Sequence, residues 1–319
     1  METKKKKKFK LFDMNRDGPG VEKGEDTTPN LKYFFKLWGR KFWRLISLNL
    51  MMLVQVLPLV VCAYLHITAP KNPTQYFPLY APTLGAQTAL PTSAGATLFS
   101  ASSGLLREIT TFNSPVYWII GILLVLHVVT YGWQKAGTTY ILRNMVRGDG
   151  VFLFSDYFYA IRRNWKQALG MGILDSAVIF VLFFDFNYFY GAAPSAGTNF
   201  MYVMIVALVL IYAVMRFYMY LMMVTFDMKL SKILKNALIF TALGIKRNLM
   251  ACLGIVALTA LSVAVVVLGV QVGFYAVIII PVLYLLGFCG FMYTYAAYPV
   301  IQRYMIDPVI NPAPAKGED

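Results

Sequence analysis

The sequence predicts an all-α membrane protein: six transmembrane helices paired as three helical hairpins, each preceded by a cytoplasmic amphipathic interfacial helix. Three observations predict it. Six apolar stretches are long enough to cross a bilayer, basic residues gather on one side of that pattern, and a basic-aromatic segment recurs ahead of every second stretch.

The apolar content comes first. Hydrophobic residues are 58% of the 319 and charged residues 14%, with a mean hydropathy of +0.59. A soluble chain would be near half apolar and about a quarter charged. The excess falls in runs at 44–67, 116–140, 169–190, 199–224, 249–270 and 273–300. A spanning helix needs about 20 such residues. A globular core is seldom cut into near-uncharged runs this long, so a soluble fold is set aside.

The charges orient the spans. Of 29 Lys and Arg residues, only Lys71 and Arg107 fall on one side. The rest precede span one, lie between spans two and three or four and five, follow span six, or sit in the inner halves of spans (Lys135, Arg216). The positive-inside rule then places both termini of this multi-pass membrane protein in the cytoplasm. The net charge of +14 is read as topology. Nucleic acid is not an expected partner, because the basic residues hug span ends. The run Lys4–Lys8 is expected to touch anionic lipid headgroups, at about 1 kcal/mol per cation near the surface.

The expected organisation is a basic, disordered cytoplasmic tail (1–28), a six-span membrane domain (29–300) and a cytoplasmic C-terminal tail (301–319). The basic N-terminus leads into a polar stretch, Asp13 to Asn30, so no cleavable signal peptide is expected. The external insert, 68–115, is rich in Pro, Thr, Ala, Ser and Gly and reads as an irregular loop, with a short helix at Ser102 to Thr111.

Each hairpin begins alike. Arg40-Lys41-Phe42-Trp43, Arg162-Arg163-Asn164-Trp165 and Lys246-Arg247-Asn248-Leu249 each place two cations ahead of a span. The residues before them are amphipathic. Phe154, Phe158, Ile161 and Trp165 share one helical face, as do Leu234, Leu238, Thr241 and Ile245. Phe35, Trp38 and Phe42 do the same, with Thr28-Pro29 as the expected cap and first-turn proline. An aromatic-basic amphipathic helix at a span entry lies in the membrane interface. The repeat is parallel, so the hairpins are expected around a pseudo-threefold axis along the membrane normal, unlike the inverted repeats of many carriers. Pro58 and Pro281 are candidate kinks. Gly132, Ala136 and Gly137 suit close helix approach, and Gly148-Asp149-Gly150 signals a turn before Ser155, a candidate cap.

Few residues suggest chemistry. Cys62, Cys252 and Cys289 lie in spans with no metal or disulfide spacing and read as packing residues. His66 and His127 cannot form a multi-histidine metal site, and a buried neutral role is expected for His127. No cofactor is implied. Asp175 and Arg216 stand at similar depths in neighbouring antiparallel spans. A contact between them is expected, as structural glue before substrate binding. Gln55 and His127 would line any polar cavity. The segment Phe183 to Tyr190, with Asp185 and Asn187, reads as an interface belt before a sugar-stacking platform. The sequence shows no HExxH, no Ser/His pairing and no paired intramembrane Asp motif, so an enzyme is not expected.

The run from Gly132 through Arg147-Gly148-Asp149, then Phe152 to Phe158 and Arg163-Asn164-Trp165-Lys166-Gln167-Ala168-Leu169, resembles the YesL-like family of bacterial membrane proteins. Asn49 and Pro58 also resemble its early pattern. The resemblance implies a six-span protein of uncharacterised activity, often encoded among carbohydrate-uptake and polysaccharide-degradation functions. It supplies no catalytic residues. Two functions stay open: an accessory or regulatory component of carbohydrate uptake working through a transporter permease or membrane sensor, and a small-molecule transporter or channel for a sugar or related solute. In the first, Arg40, Lys41, Arg162, Arg163, Lys246 and Arg247 serve docking or lipid contact.

Overall fold

The computed structural model describes residues 27–68 and 115–310. Nearly all of the expected N-terminal tail and external insert, with its Ser102–Thr111 helix, lies outside them. Among the described residues the chain is all helical, with no strand. In chain order α1 is Leu31–Thr68, α2 Pro115–Arg147, α3 Leu153–Gly191, α4 Ala196–Thr225, α5 Leu230–Leu243 and α6 Ile245–Gln271. A 3₁₀ turn, Tyr275–Ile278, leads into α7, Ile279–Ile301. A π turn, Gln302–Ile306, and a last helical turn, Asp307–Ile310, follow it.

Six helical stretches are long and apolar enough to cross a membrane. Their burial favours that environment over water. The most apolar window of α4 has none of its residues buried within the protein, and that of α2 has 6%. Exposing Phe180, Phe183, Tyr190, Val203 and Leu210 to water would forfeit about 1.5–3 kcal/mol per large side chain. A bilayer removes that cost.

The helix ends follow from local chemistry. Asn30 caps α1: its Oδ1 accepts from the Tyr33 amide at 2.8 Å. This displaces the expected Thr28-Pro29 start, because the asparagine one residue on reaches the free amide better. Ser195 and Thr198 form a reciprocal capping box on α4. Ser155 caps nothing. α3 begins earlier, at Leu153, and Asp156 holds the Phe152 amide at 2.8 Å instead. Gly148 takes a left-handed φ of 81°, letting the Asp149 amide reach the Asn144 carbonyl and close α2. Gly273, φ 79°, closes α6 in the same way.

The segments ahead of the spans differ from one another. The first runs into its span as one continuous helix, α1. The second is joined to its span through a kink at Asn164 (φ −113°, ψ 16°), whose side chain bonds back to the Ala160 carbonyl. Only the third is a separate helix, α5, divided from α6 at Gly244. Pro281 falls in the first turn of α7, where a proline needs no kink. The end of α7 continues as helix to Ile310, into the segment expected as tail.

The chain divides into two units, one of them formed by residues 57–127. Within that unit the Cys62 thiol donates to the Ile120 carbonyl at 3.7 Å, and the rings of His66 and Tyr117 stand 6.4 Å apart. In the larger unit the core gathers where the basic segments lie, here called the basic end. Tyr218 to Val224 of α4 are buried through two turns, packed with Leu45 and Leu48 of α1, Ile141 and Met145 of α2, and Phe291 of α7. Close approaches bring the helices together there. A Cβ on Gly287 would stand 2.7 Å from the Leu45 carbonyl oxygen, and one on Gly172 2.6 Å from the Gly132 Cα.

Candidate functional site

Arg216 sits one turn from Tyr212 and one turn from Tyr220, so all three share a face of α4. That face meets Asp175 of α3, which is fully buried. Tyr212 and Tyr220 donate their hydroxyls to the carboxylate at 2.8 and 2.7 Å. Arg216 Nε lies 2.9 Å from one carboxylate oxygen and 3.2 Å from the other. Arg216 Nη2 also donates to the Tyr131 hydroxyl of α2. The expected Asp175–Arg216 contact is therefore direct, and three donors satisfy the carboxylate. The sequence signal for the tyrosines was their four-residue spacing about Arg216, legible only once Asp175 is placed opposite.

A second set of polar side chains ties helices through their backbones. Asn49 of α1 is fully buried; it donates to the Val282 carbonyl at 2.7 Å and accepts from the Gly287 amide at 2.9 Å. Gln134 of α2 donates to the Met52 carbonyl at 3.1 Å. Arg143 donates to the Val224 carbonyl at 2.7 Å, meeting the C-terminal, electronegative end of α4. The Asn248 carboxamide accepts from Tyr218 at 2.6 Å and donates to the Thr241 carbonyl at 3.0 Å. Each of these saturates a buried polar group that would otherwise cost about 1–3 kcal/mol.

The remaining candidates are placed as follows. Gln55 accepts from Thr130 at 3.2 Å, and His127 is half-buried. Asn187 turns back to the Phe183 carbonyl of its own helix at 2.7 Å, among stacked pairs Phe184–Tyr188 and Phe186–Tyr190. The three cation pairs are not equivalent. Arg162 and Arg163 are exposed, beside Lys166. Lys246 is exposed, while Arg247 is half-buried and donates to the Pro29 carbonyl at 3.0 Å. Arg40 and Lys41 are half-buried, and Lys41 reaches the Asp149 carbonyl at 3.4 Å.

A cleft of about 540 Å³ opens at the basic end between the α3 kink and the α4–α5 turn, lined by Arg163, Trp165, Lys166, Gln167, Asp227 and Leu230. The Gln167 carboxamide donates to the Met228 carbonyl at its floor. A second cleft, of about 520 Å³, is bordered by Lys246, Arg247, Arg303 and Asp307. Both present cations beside a single carboxylate.

Residues 114–186 match a family model described as a protein of unknown function, DUF624. The matched stretch holds α2 and almost all of α3, and with them Tyr131, the Gly132–Gly172 approach, Arg143 and Asp175. No curated protein and no solved structure matches the chain.

Proposed function

We propose that the chain is a YesL-like protein of the bacterial cell membrane, with both termini in the cytoplasm, acting as an accessory or regulatory component of carbohydrate uptake. YesL-like proteins carry the domain matched at 114–186. In this reading the three basic-aromatic segments are interfacial helices, each leading a hairpin, set around a pseudo-threefold axis. The observation that carries the reading is the contrast between the two polar regions. Asp175 is closed off, held by three donors and without exposed surface. The cations Arg162, Arg163, Lys166, Lys232, Lys235 and Lys246 are exposed at the basic end, around open clefts. A closed ion pair suits architecture, and an exposed cationic surface suits docking to a permease or sensor, or to anionic headgroups.

The test is purification in mild detergent from the native host grown on complex polysaccharide, followed by mass spectrometry. Recovery of a transporter permease or membrane sensor, lost when Arg162/Arg163 and Lys246/Arg247 are neutralised, is the expected result. A clean monomer or homo-oligomer would refute it and direct work to uptake in proteoliposomes. That second reading, a solute path of the protein's own, is favoured by one observation: a further cation, Lys135, beside the Asp175 cluster.

A further inference from the structure

Lys135 is half-buried in α2, one turn from Tyr131. Helical side chains lean toward the N-terminus of their helix. The Lys135 ammonium follows that lean, standing 5.5 Å over the centre of the Tyr131 ring. It therefore points away from the basic end, where a lysine would otherwise reach for the headgroups. Its charged neighbours are Arg216 and Asp175. Asp175 is already occupied by Arg216, Tyr212 and Tyr220. The cluster thus holds two cations for one carboxylate.

The ammonium of Lys135 makes no hydrogen bond among the described residues, and Arg216 engages Nε and Nη2, leaving Nη1. One turn beyond Lys135, the Thr139 hydroxyl is fully buried, within reach of a single polar neighbour. The Tyr293 hydroxyl of α7 lies beside it. Tyr131, Lys135 and Thr139 follow a four-residue spacing, so they line one face of α2. Arg216 keeps 27% of its side-chain surface accessible, unlike the fully buried Asp175. An unpaired charge inside an apolar span is costly, and such groups pair or line an aqueous path. A fixed set of donors with a surplus positive charge is complementary to an oxyanion.

We propose that Lys135, Arg216 Nη1 and Thr139 form a binding site for the carboxylate group of a small soluble solute, within the helix bundle and separate from the exposed cation pairs. The site rests on α2 and α4 lying in the membrane, and it does not depend on a docking partner. Lys135 and Arg216 hold the charge, and Thr139 orients one oxygen.

The full-length protein, purified in neutral detergent at low salt in a zwitterionic buffer, tests this by thermal unfolding with sodium acetate as the probe and sodium chloride as the matched control. The wild type gains a saturable rise in Tm with acetate, on the order of 5 °C at a hundredfold excess over Kd. Lys135→Met starts at a higher Tm than the wild type without anion, because an unpaired charge is gone, and shows no acetate response. Thr139→Val, nearly isosteric, keeps the fold and weakens acetate severalfold. Arg162→Gln, outside the cluster, responds as the wild type does. An acetate response that survives Lys135→Met, or one no larger than that to chloride, overturns the site. If Lys135→Met fails to fold, Thr139→Val decides alone, and an unchanged affinity overturns it. A response seen only when phosphatidylglycerol is added assigns the charge to a lipid phosphate and overturns the soluble carboxylate. Loss of partner recovery with an intact acetate response would refute docking and leave this site standing.

Discussion

Placing a methyl group between α2 and α3 at Gly132 should drive the two helices apart. A Cβ there would lie 2.7 Å from the Ala168 carbonyl carbon and 3.0 Å from the Gly172 Cα. From the other side, a Cβ on Gly172 would lie 2.5 Å from the Gly132 nitrogen and 2.6 Å from its Cα. Ordinary contact begins at 3.4 Å, and the obstacles are backbone, with the Ala168 carbonyl oxygen nearer still, so the helices must separate by at least about 0.7 Å. The Trp133 indole, 2.9 Å from the Trp165 carbonyl, lies on the same seam and would stretch with it. Overpacking of this kind costs about 1–3 kcal/mol, against a helix-propensity gain of about 1 kcal/mol for Gly→Ala. Gly121 is the internal control, since a Cβ there meets nothing within 4 Å. Gly121→Ala should raise stability by that same propensity gain, so the two variants should differ by the overpacking cost alone, about 1–3 kcal/mol, on the order of 3–8 °C in Tm. Thermal unfolding in one detergent measures both. Equal Tm values within about 2 °C would refute the close packing of α2 on α3.

Asp175→Asn leaves Arg216 without a counter-charge and should cost about 3–5 kcal/mol, whereas Tyr212→Phe should cost about 1 kcal/mol; the ratio is read by chemical unfolding of the two variants side by side. The double variant Asp175→Leu/Arg216→Met should recover most of that loss if the pair is architectural, and recovery of less than half would assign it a further role. Asn49→Leu removes two backbone bonds joining α1 to α7 and should cost about 2–3 kcal/mol, seen as faster amide exchange of Gly287. Arg143→Met should cost about 1.5–3 kcal/mol, and Arg143→Lys should recover only part of it, because the fork also binds Asn144.

The six spans were readable because their signal is composition and length: five of the predicted runs fall within a helical stretch, and the sixth, 273–300, starts two residues ahead of Tyr275–Ile310. The Gly148 turn was readable because a left-handed φ has a residue signature. Asp175 and Arg216 could be paired from depth alone, since charges in apolar helices seek each other. What the chain hid was contact-dependent. Asn49, Gln134 and Asn248 look like ordinary span or span-end polar residues until the carbonyls they bind are placed opposite them. Helix starts slipped at Thr28 and Ser155 because Asn30 takes the Tyr33 amide and Asp156 the Phe152 amide, so the helices begin at Leu31 and Leu153. The three cation pairs look interchangeable in sequence, yet the third includes an arginine, Arg247, tied to the Pro29 carbonyl ahead of α1.

A cytoplasmic docking surface requires the basic end to face the cytoplasm, and cysteine labelling in cells tests that directly. In a background with Cys62, Cys252 and Cys289 replaced by serine, Ser231→Cys in the α5 segment and Ala193→Cys in the α3–α4 turn would be exposed to a membrane-impermeant maleimide. The account predicts that Ala193→Cys labels in intact cells and that Ser231→Cys labels only after permeabilisation. The reverse pattern would contradict the topology, and with it the cytoplasmic docking surface.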